Sequence, residues 1–352
     1  MGGTRGVVGT SPLRLEIMKL VTFEVATPVG RVERVGALQA DDVIVDLTAA
    51  VAGELADRGV PQPRRLAEVT APPDMLAFIE MGEVALDAAR RGLDFAAKVG
   101  GEARSPGGAQ LVYGRETIRL LAPLPRPRSL RDFWVFEAHV RKGWELRGES
   151  VPEAWYRMPI YYKGNHLSIL GPEDDLVWPA FTRRLDYELE LGIVIGRGGR
   201  DIPAAEGEAG VFGYTVLNDW SARDIQRDEM TCRLGPAKGK DFATSIGPCI
   251  ATADEVTPRD LRMVARVNGE VWSEGNAGTA HWTVGQLVSH ASMGETLYPG
   301  ELFGSGTVGG GCGLELGRWI QPGDVVELAI EGIGILRTRV LPPPGGVSIL
   351  GS

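Results

Sequence analysis

The stretch "LDYELELGIVIG", residues 185–196, constrains this chain more than any other. Its apolar run is that of a strand covered on both faces, yet Glu188 and Glu190 stand inside it. Side chains alternate along an extended chain, so the two carboxylates share one face while Leu189 and Leu191 take the other. Acidic residues are mostly exposed, and an edge strand with one wet face is the simplest place for such a pair. Burial would leave two escapes from desolvation and mutual repulsion, a shared proton or a bound cation. A hard cation such as Mg2+ or Ca2+ takes oxygen ligands and converts the repulsion into attraction.

Further oxygens stand in suggestive places. Asp219 closes the apolar segment "YTVLND" at a strand end, and Asp132 opens "RDFWVFEAH" directly after a Pro-rich stretch; either is also an ordinary turn or cap aspartate. Downstream of Asp219, Arg223 and Gln226 are three apart and project from one helical face. "GPAKGKDFATSIGP" adds Lys238, Lys240 and Thr244 in a glycine-bounded segment, where a lysine near an arginine and a metal would act on an anionic transition state. Of the four histidines, His139 follows Asp132 by seven residues in the helical "VFEAHVRK", within reach of a metal-held substrate as a general base.

Composition narrows the partner. A formal net charge of −9 argues against a nucleic-acid or anionic-membrane binder, which leaves a small molecule. No apolar run is long enough to span a membrane. Cys232, Cys249 and Cys312 fall in no paired spacing, so the pattern encodes neither a disulfide framework nor a zinc motif, and a cytoplasmic protein is expected. "MKLVTFEV" from Met18 reads like a start, which makes residues 1–17 a disordered or dispensable extension.

Residues 18–120 read as a small α+β N-terminal domain. Short strands come first, then helices such as "EVALDAARRGLDFAAKV", whose Leu86, Ala89, Leu93 and Ala97 predict one buried stripe. The prolines of "LLAPLPRPRSLRD" place a boundary near residue 120. Residues 121–341 are β-rich, with helices expected at "VFEAHVRKGWE", "SARDIQRDEM" and "TVGQLVSHAS", and residues 342–352 form a tail. "GRGGRD" and "GSGTVGGGCG" lack the full dinucleotide and phosphate-loop patterns. In the second, small residues allow backbone amides near an anion, with Thr307 inside it and Glu315 just after.

Taken together, "DFWVFEAH", "LDYELELGIVIG", "NDWSARDIQ", "GPAKGKDFATSIGP", "HWTVGQLVSHAS", "YPGE" and "SGTVGGGCGLE", in this order across residues 125–340, resemble the fumarylacetoacetate hydrolase family. The resemblance implies a mixed α/β, β-rich chain with a C-terminal β-sandwich roll. It implies that Asp132, Glu188, Glu190 and Asp219 hold one divalent cation, Mg2+ or Ca2+, with Mn2+ also admitted, and that Thr244 lies beside them. His139, oriented by Glu315, would take a proton from water that attacks a carbonyl of a β-diketo acid, while Arg223, Gln226 and Lys240 stabilise the oxyanion and departing carbanion. Thr307, Tyr162, Trp134 and Arg147 match substrate-contacting positions, with Trp134 standing where animal members carry tyrosine and Arg147 one place out of register. Lys142 replaces the glutamate of short members, which favours Glu315 as the partner of His139, and Met230 replaces a tyrosine, which points to a different acyl group. A homodimer and a place in aromatic-compound catabolism are expected by the same analogy. Isomerase, decarboxylase and sugar-acid dehydratase chemistry remain alternatives on this scaffold, as does a non-catalytic metal-binding protein.

Overall fold

The computed structural model describes residues 18–343 apart from positions 29 and 101, so the anticipated extension and the tail beyond residue 343 lie outside the described residues. In spatial order the main sheet runs Val112–Gly114, Val43–Asp46, Gly30–Gln39, Lys19–Thr27, Thr244–Thr252, Val211–Asp219, Leu189–Ile195, Leu302–Gly304, Leu130–Phe133 and Tyr161–Gly164. Neighbours on this path are antiparallel, except that Leu302–Gly304 runs parallel to Leu130–Phe133. The central strands "VFGYTVLND" and "LELGIVI" are buried at every residue, which is why their apolar runs scarcely alternate.

A second sheet, Glu270–Asn276, Arg262–Val267, Val325–Ile330, Gly334–Leu341 and Leu176–Val177, behaves differently. "GILRTRVL" alternates between core and solvent, because only one face packs inward. Leu191, Ile193 and Tyr214 from the main sheet join Met263, Leu328 and Leu336 from the second in one core. This is the sandwich-like, β-rich architecture expected from sequence.

Main-chain pairing crosses residue 120: Lys19 and Leu20 pair with Ala251 and Ile250, so the N-terminal strands extend the main sheet. Helices Leu47–Asp57, Pro63–Thr70, Met75–Met81 and Glu83–Val99 cover it there, with Val51, Leu55 and Phe78 packed in one cluster with Val194, Phe212 and Ile246. The stripe predicted on Glu83–Val99 holds at Leu86 and Ala89 and departs at Leu93 and Ala97. The helix buries Ala85, Leu86, Ala88, Ala89, Gly92 and Ala96, while Leu93 is half-buried and Ala97 exposed. Its smallest side chains form the closest contact, with Gly92 backed against Val51, so an alanine and glycine ridge beside Leu86 sets the packing.

The three helices expected after residue 120 are Glu137–Glu145, Arg223–Thr231 and Val284–Ser292. The last begins in a reciprocal cap between Thr283 and Gln286. None of the helices among the described residues is long and apolar enough to cross a membrane.

Candidate active site and metal centre

Three strands of the main sheet bring the acids together, two of them adjacent and the third separated from them only by Leu302–Gly304. Asp132 sits on Leu130–Phe133, Glu190 on Leu189–Ile195 with Glu188 just before it, and Asp219 ends Val211–Asp219. All four are at most 5% exposed. One carboxylate oxygen each from Asp132, Glu190 and Asp219 lies within 4.8 Å of the other two. Gly304, opposite Asp132 in the sheet, makes this approach possible: a Cβ there would stand 2.7 Å from Glu190 Oε2 and 2.9 Å from the Asp132 carboxyl carbon.

The chain answers these charges unevenly. Lys240 Nζ lies 2.5 Å from Glu188 Oε2 and also donates to Asp219 Oδ2. Arg223 Nη1 lies 2.8 Å from Glu188 Oε1. Burial acts to raise the Glu188 carboxyl, but the Lys240 ammonium and Arg223 guanidinium outweigh it and hold it well below the usual range. Asp132 is pushed far the other way by burial and by the facing Glu190 and Asp219, and Glu190 by burial and by Glu188 and Asp219. Asp132 Oδ1 and Asp219 Oδ1 are buried with no hydrogen-bond donor. Crowded carboxylates with orphaned, inward oxygens are the donor set of a hard divalent cation, so the residues fit the group that the sequence resemblance implies.

The glycine-rich loop completes the site by zipping along Leu189–Ile195. Val308 N donates to Leu189 O at 3.1 Å, Leu189 N to Gly311 O at 3.1 Å, and Ser305 N to Leu191 O at 3.0 Å. Gly306, at φ +83°, turns its amide onto Glu190 Oε2 at 2.9 Å, while Thr307 Oγ1 stands 3.5 Å from Glu190 Oε1. The loop then enters the short helix Gly313–Leu316, where Glu315 Oε2 lies 2.9 Å from Nδ1 of His139. His139 faces inward from the first turn of Glu137–Glu145 and is 7% exposed. Burial would raise the Glu315 carboxyl, but the adjacent His139 ring and the Gly310 amide lower it.

Other predicted residues fall at varied distances from this centre. Tyr162 donates to Asp219 Oδ2 at 2.7 Å, and Gln226 Oε1 accepts from Arg223 Nη1 at 3.1 Å. Thr244 is buried and pairs with Asp219 across neighbouring strands. Trp134 is half-buried with its ring edge-on to His139, the centroids 6.1 Å apart. Arg147 is exposed beyond the helix end, its guanidinium over the Trp144 ring, and makes no contact with the acidic cluster.

Two organising residues escaped the sequence reading. Asp186, fully buried, accepts from Arg223 Nε at 2.8 Å, from Gly313 N at 2.8 Å and from Leu314 N at 3.0 Å. One carboxylate thus fixes both Arg223 and the turn that carries Glu315. Its signal was present: Asp186, Glu188 and Glu190 continue a single period of two, one step further back than the pair. Glu229 takes the amides of Ala237, Lys238 and Gly239 at 2.9, 2.7 and 3.2 Å, holding the loop that delivers Lys240.

A β-rich roll with buried, cation-fitting carboxylates and an imidazole–carboxylate pair at their rim defines a recognisable class of enzyme. The family model described as Fumarylacetoacetate (FAA) hydrolase C-terminal matches residues 131–341, and the chain belongs to that family. Human "Oxaloacetate tautomerase FAHD2A, mitochondrial" is 33% identical over 278 residues, spanning 77% of this chain and 81% of that protein. The solved fumarylacetoacetate hydrolase from psychrophilic Exiguobacterium antarcticum aligns with a TM-score of 0.67 at 26% identity, over 92% of this chain and 99% of that one. A 2-hydroxyhepta-2,4-diene-1,7-dioate isomerase from Mycobacterium marinum aligns at 0.62 and 25%, over 94% of this chain and 100% of that one.

Proposed function

We propose that this chain is a divalent-metal-dependent hydrolase that cleaves a carbon–carbon bond of a 1,3-diketo acid. The observation that carries the reading is the 2.9 Å approach of His139 to Glu315 at the rim of the carboxylate cluster. Asp132, Glu188, Glu190 and Asp219 would hold Mg2+, Ca2+ or Mn2+, which supplies Lewis-acid polarisation of the substrate's keto oxygens. The negative charge of Glu315 beside Nδ1, close but not aligned as a hydrogen bond, favours the tautomer with its proton on that nitrogen, which leaves Nε2 free to accept a proton from water. The resulting hydroxide adds to the acyl carbonyl, the carbon–carbon bond breaks, and its electron pair departs as an enolate. Arg223 and Lys240 place positive charge where the oxyanion and enolate develop, and Gln226 holds the Arg223 fork. His139 then returns its proton to the departing carbon, giving two carboxylic or keto-acid products.

A second reading is supported by the human tautomerase. Keto–enol exchange of an oxo diacid needs the same enolate stabilisation and a base, but no water attack. One experiment separates the two. Purified protein is incubated with acylpyruvates, fumarylacetoacetate and oxaloacetate, with Mg2+ or EDTA, alongside His139→Ala. Hydrolysis predicts metal-dependent loss of diketo-enol absorbance with two acid products, abolished in the variant. Exchange of the oxaloacetate tautomers without cleavage of any compound would overturn the hydrolase in favour of the tautomerase.

A further inference from the structure

Cys312 is fully buried beside the proton-transfer pair, and neither proposed reaction uses it. Its Sγ lies 3.4 Å from Glu315 Oε2 on the side where His139 Nδ1 approaches at 2.9 Å, and ligand atoms of all three residues lie within 4.8 Å of one another. His139 Nδ1 is buried, and its contact with Glu315 is off the line that a ring N–H donor requires. The backbone holds the trio in place: Cys312 bridges to Glu188, and the next two amides are bound by Asp186.

We propose that His139, Cys312 and Glu315 form a second metal site, selective for a thiophilic ion such as Zn2+ and separate from the hard carboxylate centre. The donor chemistry divides the two. Asp132, Glu190 and Asp219 offer only oxygens, which suit Mg2+ and Ca2+, whereas sulfur with imidazole suits zinc. Tetrahedral zinc with bonds of about 2.0–2.3 Å sets ligand edges of about 3.3–3.6 Å. The sulfur-to-oxygen edge already matches, and the nitrogen-to-oxygen edge needs to open by about half an ångström. Three protein donors leave the fourth position to water. On binding, the Cys312 thiol releases its proton to solvent, and His139 and Glu315 cease to be available for proton transfer, so an occupied site switches the reaction off. Cysteine spacing could not reveal this site, because its ligands come from segments more than 170 residues apart in the chain.

The test uses the full chain saturated with Mg2+ and titrated with Co2+ or Zn2+. Expected results are one equivalent of Co2+ giving thiolate-to-cobalt charge-transfer absorption, kept in Cys232→Ser and lost in Cys312→Ser, and a Zn2+ affinity at least about tenfold weaker in Cys312→Ser. X-ray absorption at the zinc edge of the unmodified protein, which needs no variant to fold, should show one sulfur at about 2.3 Å. A purely oxygen and nitrogen shell, no thiolate band, or a band that follows the exposed Cys232 would overturn the proposal. None of these readouts requires turnover, so the site stands or falls independently of the proposed reaction.

Discussion

Arg131 and Asp132 are neighbours on one strand, face opposite sides of the sheet, and are both buried. On its side, Arg131 meets Glu301 and Glu295, donates to Ser129 Oγ at 2.8 Å, and lies 5.7 Å from the Phe303 ring. On the other side, Asp132 meets Glu190 and Asp219, and its Oδ1 finds no donor. The chain spends its own opposite charges on one buried ion and withholds them from its neighbour. Where the sequence supplies the partners, the charge is part of the architecture; where it supplies more of the same sign, the partner comes from outside.

Substitution should separate the two most strongly through Arg131. Arg131→Met removes the charge that balances buried Glu301, and breaking such a pair costs about 3–5 kcal/mol. Denaturant unfolding should register that loss equally with Mg2+ and with EDTA. An unchanged midpoint would mean that the pair is not structural and the contrast fails. Asp132→Asn should do the reverse. Replacing one of several crowded acids by a neutral amide leaves the metal-free midpoint unchanged or raised, while metal-dependent turnover falls about 100- to 1000-fold, or about 3–4 kcal/mol of transition-state stabilisation. Assay and unfolding on the same preparation check both halves.

That contrast explains what could be seen in the sequence. Glu188, Glu190 and Asp219 were visible because they stand within apolar strands, where ordinary acids do not belong. Asp186 obeys the same alternation but precedes the apolar run, where an acid does not stand out against its neighbours. Arg131 was hidden because its partners Glu295 and Glu301 arrive from more than 160 residues away. Pairing of Lys19–Thr27 with Thr244–Thr252 is likewise invisible to local patterns, and for this reason the prolines near residue 120 suggested a sharper division than the continuous sheet displays. The stripe on Glu83–Val99 was right at Leu86 and Ala89 and missed Ala85, Ala88, Gly92 and Ala96, because period alone does not show which small residues make the closest contact.

Asp186 lies between the two cases, since its charge is answered by Arg223 and yet serves the site. Asp186→Asn keeps size but weakens the grip on the Arg223 fork and the Gly313–Leu314 amides. Turnover should drop about 10- to 100-fold, the range for supporting hydrogen bonds, with Mg2+ stoichiometry unchanged. Calorimetric titration alongside the assay distinguishes this from Asp132→Asn, and loss of Mg2+ binding would make Asp186 part of the metal centre instead.

The smallest expected effect tests the sign of the whole argument. In the metal-free protein Asp132 and Glu190 hold their protons above the usual carboxylate range, because burial and like charges disfavour ionisation. The folded state therefore binds those protons more tightly than the unfolded chain. Their contribution to stability is complete below the unfolded values and is lost as pH rises through the folded ones, at about 1.4 kcal/mol per pH unit for each proton. Glu188, whose carboxyl is depressed, acts oppositely, and only as pH falls below the ordinary carboxylate range. A cation that displaces the protons reverses the trend. The gain in Tm from Mg2+ over EDTA should accordingly widen by a few degrees between about pH 6 and pH 8, while Arg131→Met lowers both curves in parallel. A gain that is flat with pH would show that no protons are displaced, and that the carboxylates facing Asp132 are already answered from within the chain.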